Sequence, residues 1–477
     1  MVARSRWGSA GSSDCLLDDS SNSRSDMTLF PASRTRRSGP GLAALMALVL
    51  GLAACDPASG EGASGENRAE AEAPSSATSD FEPAALYLTW TDDPTTTMTV
   101  QWQHRWEDGY RDPALGWREP GASEWTWVVG HWDPFPFSDR IINTVTVEGL
   151  EPDARYEFRL GRLEQEGPSP EDRSTDGFRF VPDGPLSCFR TLPRSAEGLR
   201  YAVGGDLYGD PEVYRAMNRT LASEGVRFAL IGGDLAYANG RPDRIEKWYD
   251  FFRIWEEEMV TEEGCPIPIV VGMGNHEAHG DTYEDRGRGT VNRSPYFPRL
   301  FAFPGPDMYG LLDLTDDLTV LMLDSHHAEP VHGAQLEWLD AQLELRANSG
   351  REIIPVYHVP AYPSVRDFEG DISTRIREHW LPRFEAAGVR VAFENHDHAY
   401  KRTPPIRGGE VHDDGIVFIG DGAWGVGVRD VHDASATWYL ERAESLHHAL
   451  VVESVGGVLE VRAVGPDGQT FDEVRIP

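Results

Sequence analysis

The stretches Leu199-Arg200-Tyr201-Ala202-Val203-Gly204-Gly205-Asp206 and Phe228-Ala229-Leu230-Ile231-Gly232-Gly233-Asp234-Leu235-Ala236-Tyr237 share one plan: a short apolar run, glycine, then aspartate. Short apolar runs bounded by glycine predict buried strands. The plan recurs downstream. Ile267–Val271 leads to Gly272-Met273-Gly274-Asn275-His276-Glu277, Ile353–Tyr357 leads to His358, and Val389–Phe393 leads to Glu394-Asn395-His396-Asp397-His398. Between these runs lie amphipathic segments at Pro211–Glu224, Arg241–Val260, Gln335–Ala347 and Thr374–Ala387. Strands alternating with helices predict an α/β domain with much parallel pairing, a β-sheet sandwich flanked by helices, over residues 196–477. In such sheets ligands bind beyond the carboxyl ends of the strands. One strand-terminal Asp is often only a turn or cap residue. Five strand ends in series, each carrying Asp, Asn or His, predict a metal site.

The donor types narrow the metal. Thiolates are absent from the set, which excludes zinc-finger and iron–sulfur chemistry. Carboxylate, imidazole, amide oxygen and phenol together suit iron, manganese or zinc. Seven candidate donors exceed the needs of one ion, and two ions about 3.5–4 Å apart is an arrangement used for phosphoester hydrolysis.

Upstream the pattern differs. Ala85–Thr91, Met98–Trp102, Trp125–Val129 and Asn143–Val147 are rich in β-branched and aromatic residues, with turn signals between them and no helical stretch. This predicts an all-β sandwich over residues 83–195. The run Leu150-Glu151-Pro152-Asp153-Ala154-Arg155-Tyr156-Glu157-Phe158-Arg159 resembles the end of a fibronectin type III domain. No internal repeat is visible.

The first residues read as an address and a tether. Arg34-Thr35-Arg36-Arg37 precedes the apolar run Leu42–Ala54 and Cys55. A basic start and a short apolar run predict an export signal over residues 1–54, too short to span a membrane. Residues 1–26 are polar, which makes Met27 a second candidate start. Leu52-Ala53-Ala54-Cys55 resembles a bacterial lipobox, which implies a lipid anchor at Cys55 and a cell-envelope or secreted location. Residues 55–82 are Gly, Ser, Ala and Glu-rich and predict a flexible tether. Of the four cysteines, Cys188 and Cys265 are left either to pair in an oxidising compartment or to stay as buried thiols. A net charge of −34 argues against nucleic acid and anionic lipid as partners. No oligomeric state follows from the sequence.

With these residues in view, the chain resembles the purple acid phosphatases. That family carries GDxG, GDxxY, GNH followed by Asp or Glu, VxxH, and GHxH. Here stand GDLY at Asp206, GDLAY at Asp234–Tyr237, GNHE at Asn275–Glu277, VYH at Val356–His358 and NHDH at Asn395–His398. The resemblance, sandwich included, covers roughly residues 83–477. It implies a dinuclear centre in which Asp206, Asp234, Tyr237 and His398 hold ferric iron. Asp234 would bridge to a divalent ion (Zn, Fe or Mn) held by Asn275, His358 and His396, and His276 would contact the phosphate as a catalytic group. The implied reaction is hydrolysis of small phosphate monoesters by metal-activated water.

The chain also departs from the family. Tyr208 replaces the last Gly of the first block, Asn395 replaces the first Gly of the fifth, and the fourth block is one residue short. The His pair that plant members carry downstream of the fourth block is missing, which makes Arg366, Asp367 and Glu369 the candidates for the leaving-group acid. Asp324-Ser325-His326-His327 also follows a strand, Leu318–Leu323, and offers a pocket-lining His. Trp424, after the strand Ile416–Ile419, is a candidate pocket wall, whereas His447-His448 reads as structural. The competing readings are a phosphodiesterase or D-type alkaline phosphatase relative, and an envelope binding protein with an inactive phosphatase domain.

Overall fold

A computed structural model describes residues 83–106, 112–165, 178–279, 294–305, 308–347 and 349–477. The export signal, Cys55 and the tether lie outside the described residues. Among those described, no helix is long and apolar enough to cross a membrane.

The N-terminal strands form two antiparallel sheets. One runs in the order Ala85–Thr89, Met98–Arg105, Arg140–Val147, His131–Pro134. The other runs Thr126–Val129, Pro113–Arg118, Arg155–Gln165, Phe178–Pro182, with Ser187–Arg190 also on Arg155–Gln165. Trp102, Leu115, Val145, Phe158 and Phe189 meet in the core between them. The second face of the first sheet is buried too, though it carries Thr99, Gln101 and Gln103. Its polar groups find partners on the following domain: Gln101 Oε1 accepts from Ala302 N (2.9 Å) and Tyr87 Oη donates to Leu300 O (2.5 Å). Tyr87 also stacks on Phe252 (ring centroids 4.5 Å apart), and Trp90 meets Phe228 edge-on.

The second domain has four layers because its strands alternate with period two between two apolar environments. Its first sheet is ordered Ile269–Val271, Ala229–Ile231, Arg200–Gly204, Ala449–Val455, Val458–Val464, Thr470–Ile476. Its second is ordered Gly310–Asp313, Leu318–Leu323, Glu352–Tyr357, Val391–Glu394, Val417–Gly420, Tyr400–Arg402, Arg442–Glu444. Val203, Leu230 and Val270 from one sheet share a core with Val320, Val356 and Phe393 from the other. The intervening residues point outward. Ala202, Ile231 and Val271 pack under helices Pro211–Ser223 and Glu246–Glu258, while Leu321, Tyr357 and Phe418 pack under Ala334–Arg346, Asp371–His379 and Leu381–Ala387.

Three differences from the expected elements have local causes. Thr374–Ala387 is two helices, broken at Trp380, because Pro382 cannot donate a backbone hydrogen bond and instead sits in the first turn of the second helix. Arg241–Val260 begins with a short 3₁₀ turn, Pro242–Arg244. Pairing is less parallel than expected, since Ala449–Val455 joins Arg200–Gly204 antiparallel.

Cys188 and Cys265 form a disulfide across a separation of 77 residues. It ties strand Ser187–Arg190 of the sandwich to the segment that enters Ile269–Val271. Closing a loop of that size constrains the unfolded chain by roughly 4–5 kcal/mol in the chain-entropy model.

Candidate metal centre

Register decides which loops meet. In the first sheet Gly204 pairs with Ile231 and Ile231 with Val271, so the loops carrying Asp206, Asp234 and Asn275 leave side by side. In the second sheet Leu323 pairs with Tyr357, Val356 with Phe393 and Glu394 with Gly420. Asp324, His358, Asn395 and Asp421 therefore follow four neighbouring strand ends.

The seven candidate donors converge in two groups. The carboxylates and imidazoles of Asp206, Asp234 and His398 form one, those of Asp234, His358 and His396 the other, and Asp234 belongs to both. Tyr237 joins the first, its Oη 2.9 Å from Asp206 Oδ1 and 3.2 Å from His398 Nε2. Asn275 joins the second, its Oδ1 3.1 Å from His358 Nε2. Asp206, Asp234, Tyr237, His396 and His398 all have positive φ, between 56° and 80°. Non-glycine residues pay about 1–2 kcal/mol each to stay in the left-handed region, and such strain gathers at functional loops.

The second group fits a cation. His358 Nδ1 lies 3.0 Å from Gly232 O and donates to it, so in the neutral imidazole Nε2 offers the lone pair. That lone pair lies 2.9 Å from His396 Nδ1, 3.1 Å from Asn275 Oδ1 and 3.2 Å from Asp234 Oδ2. Asp234 Oδ2 is buried and has no hydrogen-bond partner. Acceptors aimed at one point need a proton or a metal between them, and ligands about 2.0–2.2 Å from one ion sit roughly 3 Å apart. In the first group His398 Nδ1 is 3.2 Å from Gly427 O, which likewise turns Nε2 toward Asp206 and Tyr237.

Electrostatics respond to this crowding. In the absence of a cation, burial pushes the His358 imidazole down, but Asp234 and Asp206 outweigh it and raise it to about 9, so Nε2 takes up a proton that a bound ion would displace. Burial and the neighbouring His358 hold His396 well below its ordinary value, so it is neutral. Burial, then the Asp206 and Asp234 carboxylates, push the Tyr237 phenol well above the usual range. A cation between these groups reverses that pressure on the phenol.

Two residues support the donors. Glu277, the last residue of the GNHE block, is fully buried and accepts from the backbone N–H groups of Asp234 (2.7 Å), Leu235 (2.8 Å) and Gly274 (3.0 Å). It locks the second loop to the third. Burial and the nearby Asp234 charge push its carboxyl up to about 8. Asn239 faces His276: its amide nitrogen donates to His276 Nδ1 (2.8 Å) and Tyr237 O (2.9 Å) while its oxygen accepts from Arg244 (3.3 Å). His276 Nε2 then carries the proton, 3.7 Å from Asp234 Oδ2. The sequence offered no sign of the Asn239 contact; Glu277 was visible only as part of its block.

The departures also find places. Asn395 Nδ2 donates to Tyr357 O (2.9 Å) and fills the space a side chain at Gly232 would need, where a Cβ would lie 1.9 Å from it. Gly422 has φ of 68° and faces Asp206 Oδ2, which a Cβ would approach to 1.8 Å. His327 comes beside the second group, its ring 5.4 Å from His358 and 6.4 Å from His396, whereas His326 is the residue bonded by Val331 N. His448 is buried against Tyr400, and His447 bonds Val426 O. Trp424 is no pocket wall: it is fully buried, donates to Asn218 and packs on Gly204 in the core. Asp367 and Glu369 are exposed and bond within their own turn. Arg366 lies at the site's edge on Asp397 Oδ1 (2.6 Å).

Comparison with known proteins gives the same picture. Residues 83–176 match the N-terminal domain of purple acid phosphatases, and residues 199–400 match the calcineurin-like phosphoesterases. The chain thus joins a domain of the purple acid phosphatase N-terminal type to a domain similar to the calcineurin-like phosphoesterases. It is 27% identical to purple acid phosphatase 18 of Arabidopsis thaliana over 299 residues, 61% of this chain and 65% of that one. An uncharacterized Mycobacterium tuberculosis protein is 27% identical over 306 residues, 56% of this chain and 51% of its own. The chain thus spans about half to two thirds of the length of such relatives. In fold it resembles the purple acid phosphatase of yellow lupin (Lupinus luteus) seeds, with a TM-score of 0.66 at 17% identity, over 82% of this chain and 73% of that one. It also resembles PhoD, with a TM-score of 0.59 at 11% identity, over 84% and 90%.

Proposed function

We propose that this protein hydrolyses phosphate monoesters at a dinuclear metal centre. The observation that carries the reading is Asp234, a carboxylate common to both donor groups, whose buried Oδ2 faces His358 Nε2 at 3.2 Å without a formed hydrogen bond. Asp206, Asp234, Tyr237 and His398 would hold a ferric ion; Asp234, Asn275, His358 and His396 would hold a divalent Zn, Fe or Mn ion. When bound, such a pair supplies Lewis acidity toward phosphoryl oxygens and a water of lowered pKa. The chain's own contribution is orientation. Asn239 sets the His276 tautomer, and the Nε2 proton beside Asp234 is placed to donate to a phosphoryl oxygen. Glu277 keeps the loops of Asp234 and Asn275 in one register. Metal analysis together with assays on phenyl phosphate and bis(4-nitrophenyl) phosphate tests the reading. A diester cleaved faster than the monoester would overturn the monoester assignment and leave the phosphodiesterase or PhoD-like alternative.

Tyr237 separates a ferric site from other metal pairs. Phenolate on ferric iron gives a visible charge-transfer band, so the iron-loaded protein is expected to be purple or pink and Tyr237→Phe to bleach it. Turnover should survive in part, because the phenolate tunes the iron without supplying the nucleophile. An absorption spectrum of both proteins decides, and an unchanged band in the variant removes Tyr237 from the ligand set.

For location, we propose an exported lipoprotein anchored at Cys55. Cys55→Ser should move the protein from the membrane fraction to the soluble fraction. A wild type already fully soluble after fractionation would end this reading.

A further inference from the structure

Two guanidinium groups reach one backbone atom of the site. Arg366 Nη1 donates to His396 O at 2.7 Å and Arg429 Nη1 approaches the same oxygen at 3.4 Å. The two distances cap the Nη1–Nη1 separation at about 6 Å, inside the screening length of about 8 Å at physiological salt. His396 is a proposed ligand, so both cations lie against the peptide that carries it. Arg429 is fixed there a second time, because its backbone N donates to His398 O (3.0 Å).

The charges of the two are not equally answered. Arg366 is paired with Asp397, which is fully buried and also accepts from the backbone of Val365 and Arg366. Arg429 has no ion-pair partner among the described residues, although the chain carries 78 acidic residues against 44 basic ones. Neither side chain is sequestered: Arg366 is 36% exposed and Arg429 is half-buried. Like charges held this close repel unless an anion sits between or over them. Arginine presents planar paired donors suited to phosphate oxygens. A role in holding the loop alone needs only one donor on His396 O, and Arg366 already supplies it at the shorter distance.

Resting on the monoesterase reading above, we propose that Arg429, backed by Arg366, forms an anion subsite beside the metal centre that receives a second phosphate group carried by the leaving group. These residues then favour substrates such as phosphoric anhydrides and multiply phosphorylated esters over esters with a neutral leaving group. The subsite makes and breaks no bond; it is a specificity element.

The test compares pyrophosphate with phenyl phosphate in the metal-loaded protein. Arg429→Gln is expected to lower the ratio of kcat/KM for the two substrates about tenfold, the scale of one lost charge-assisted hydrogen bond to phosphate. Arg429→Lys, which keeps the charge without the planar fork, should restore part of it. Calorimetry supplies a readout free of turnover: affinity for methylenediphosphonate should fall about tenfold in Arg429→Gln and affinity for methylphosphonate by much less. A parallel loss on both substrates and both phosphonates would make the arginines struts of the loop and overturn the subsite, as would no loss at all. A wild type that hydrolyses neither substrate would instead remove the hydrolase reading, and the two phosphonate affinities would still decide the subsite.

Discussion

Asp234→Asn is expected to remove at least one metal per chain and to lower kcat/KM by about three orders of magnitude or more. The side chain is the only one common to both donor groups, and its Oδ1 already accepts from His276 N at 2.8 Å. Asparagine keeps that contact with its single oxygen and turns an NH₂ toward the His358 lone pair, 3.2 Å away in the native geometry. A donor then occupies the place where a cation belongs, and a negative charge is lost between two positive sites. The fold should persist, because the change is nearly isosteric and Glu277 still holds the loop. Metal content by plasma mass spectrometry, phenyl phosphate turnover and circular dichroism check this together. Two metals retained with activity within tenfold of wild type would sink the dinuclear proposal.

Lys401→Met is expected to destabilise the folded chain by about 3–5 kcal/mol, the usual cost of removing one partner from a buried ionic cluster. Lys401 is one of only two lysines in the sequence and is fully buried. Its ammonium contacts Glu394 and Tyr362 O, and lies 3.3 Å from Asp421 Oδ1. Burial pushes the ammonium toward neutrality, but Asp421 and Glu394 outweigh it and keep it charged. Glu394 is further bonded by Tyr357 Oη (2.6 Å) and Ala361 N (2.7 Å), and Asp421 Oδ2 by Ser364 N (3.0 Å). Methionine matches the volume and leaves two acids without their cation. Urea denaturation measures the loss, and adding Glu394→Gln should recover part of it. A loss below about 1 kcal/mol would mean that the cluster is neutral or hydrated. Because Asp421 O accepts from His398 N at 2.8 Å, metal affinity should fall along with stability.

Much of this architecture was readable because its signals are local. Glycine followed by Asp, Asn or His at each strand end is visible in the chain itself, and the structure brings Asp206, Asp234, Tyr237, Asn275, His358, His396 and His398 together. The sandwich and the α/β domain followed from periodicity and from the resemblance, and both match known family models. What escaped depends on residues far apart. The Lys401 cluster joins positions 364, 394, 401 and 421, and no spacing rule connects them. Trp424 read as a loop residue because glycines flank it, yet Gly204 opposite leaves the room that buries it. The partnership of Cys188 and Cys265 depends on how two domains dock, which the sequence left open. His327 stood outside the recognised blocks, and only the parallel register of Leu323 with Tyr357 brings it near His358.

The strand Arg200–Gly204, which delivers Asp206, is flanked on one side by Ala229–Ile231 and on the other by Ala449–Val455. Arg200 meets Glu453 across 253 positions of chain. A ribosome adding about 5–20 residues per second needs roughly 13–50 s to cover that interval. For all of that time one edge of the nascent strand has no neighbour, and the loop of the first ligand cannot settle. A chain of this topology therefore emerges with its candidate metal-binding half unfinished until the C-terminal strands arrive.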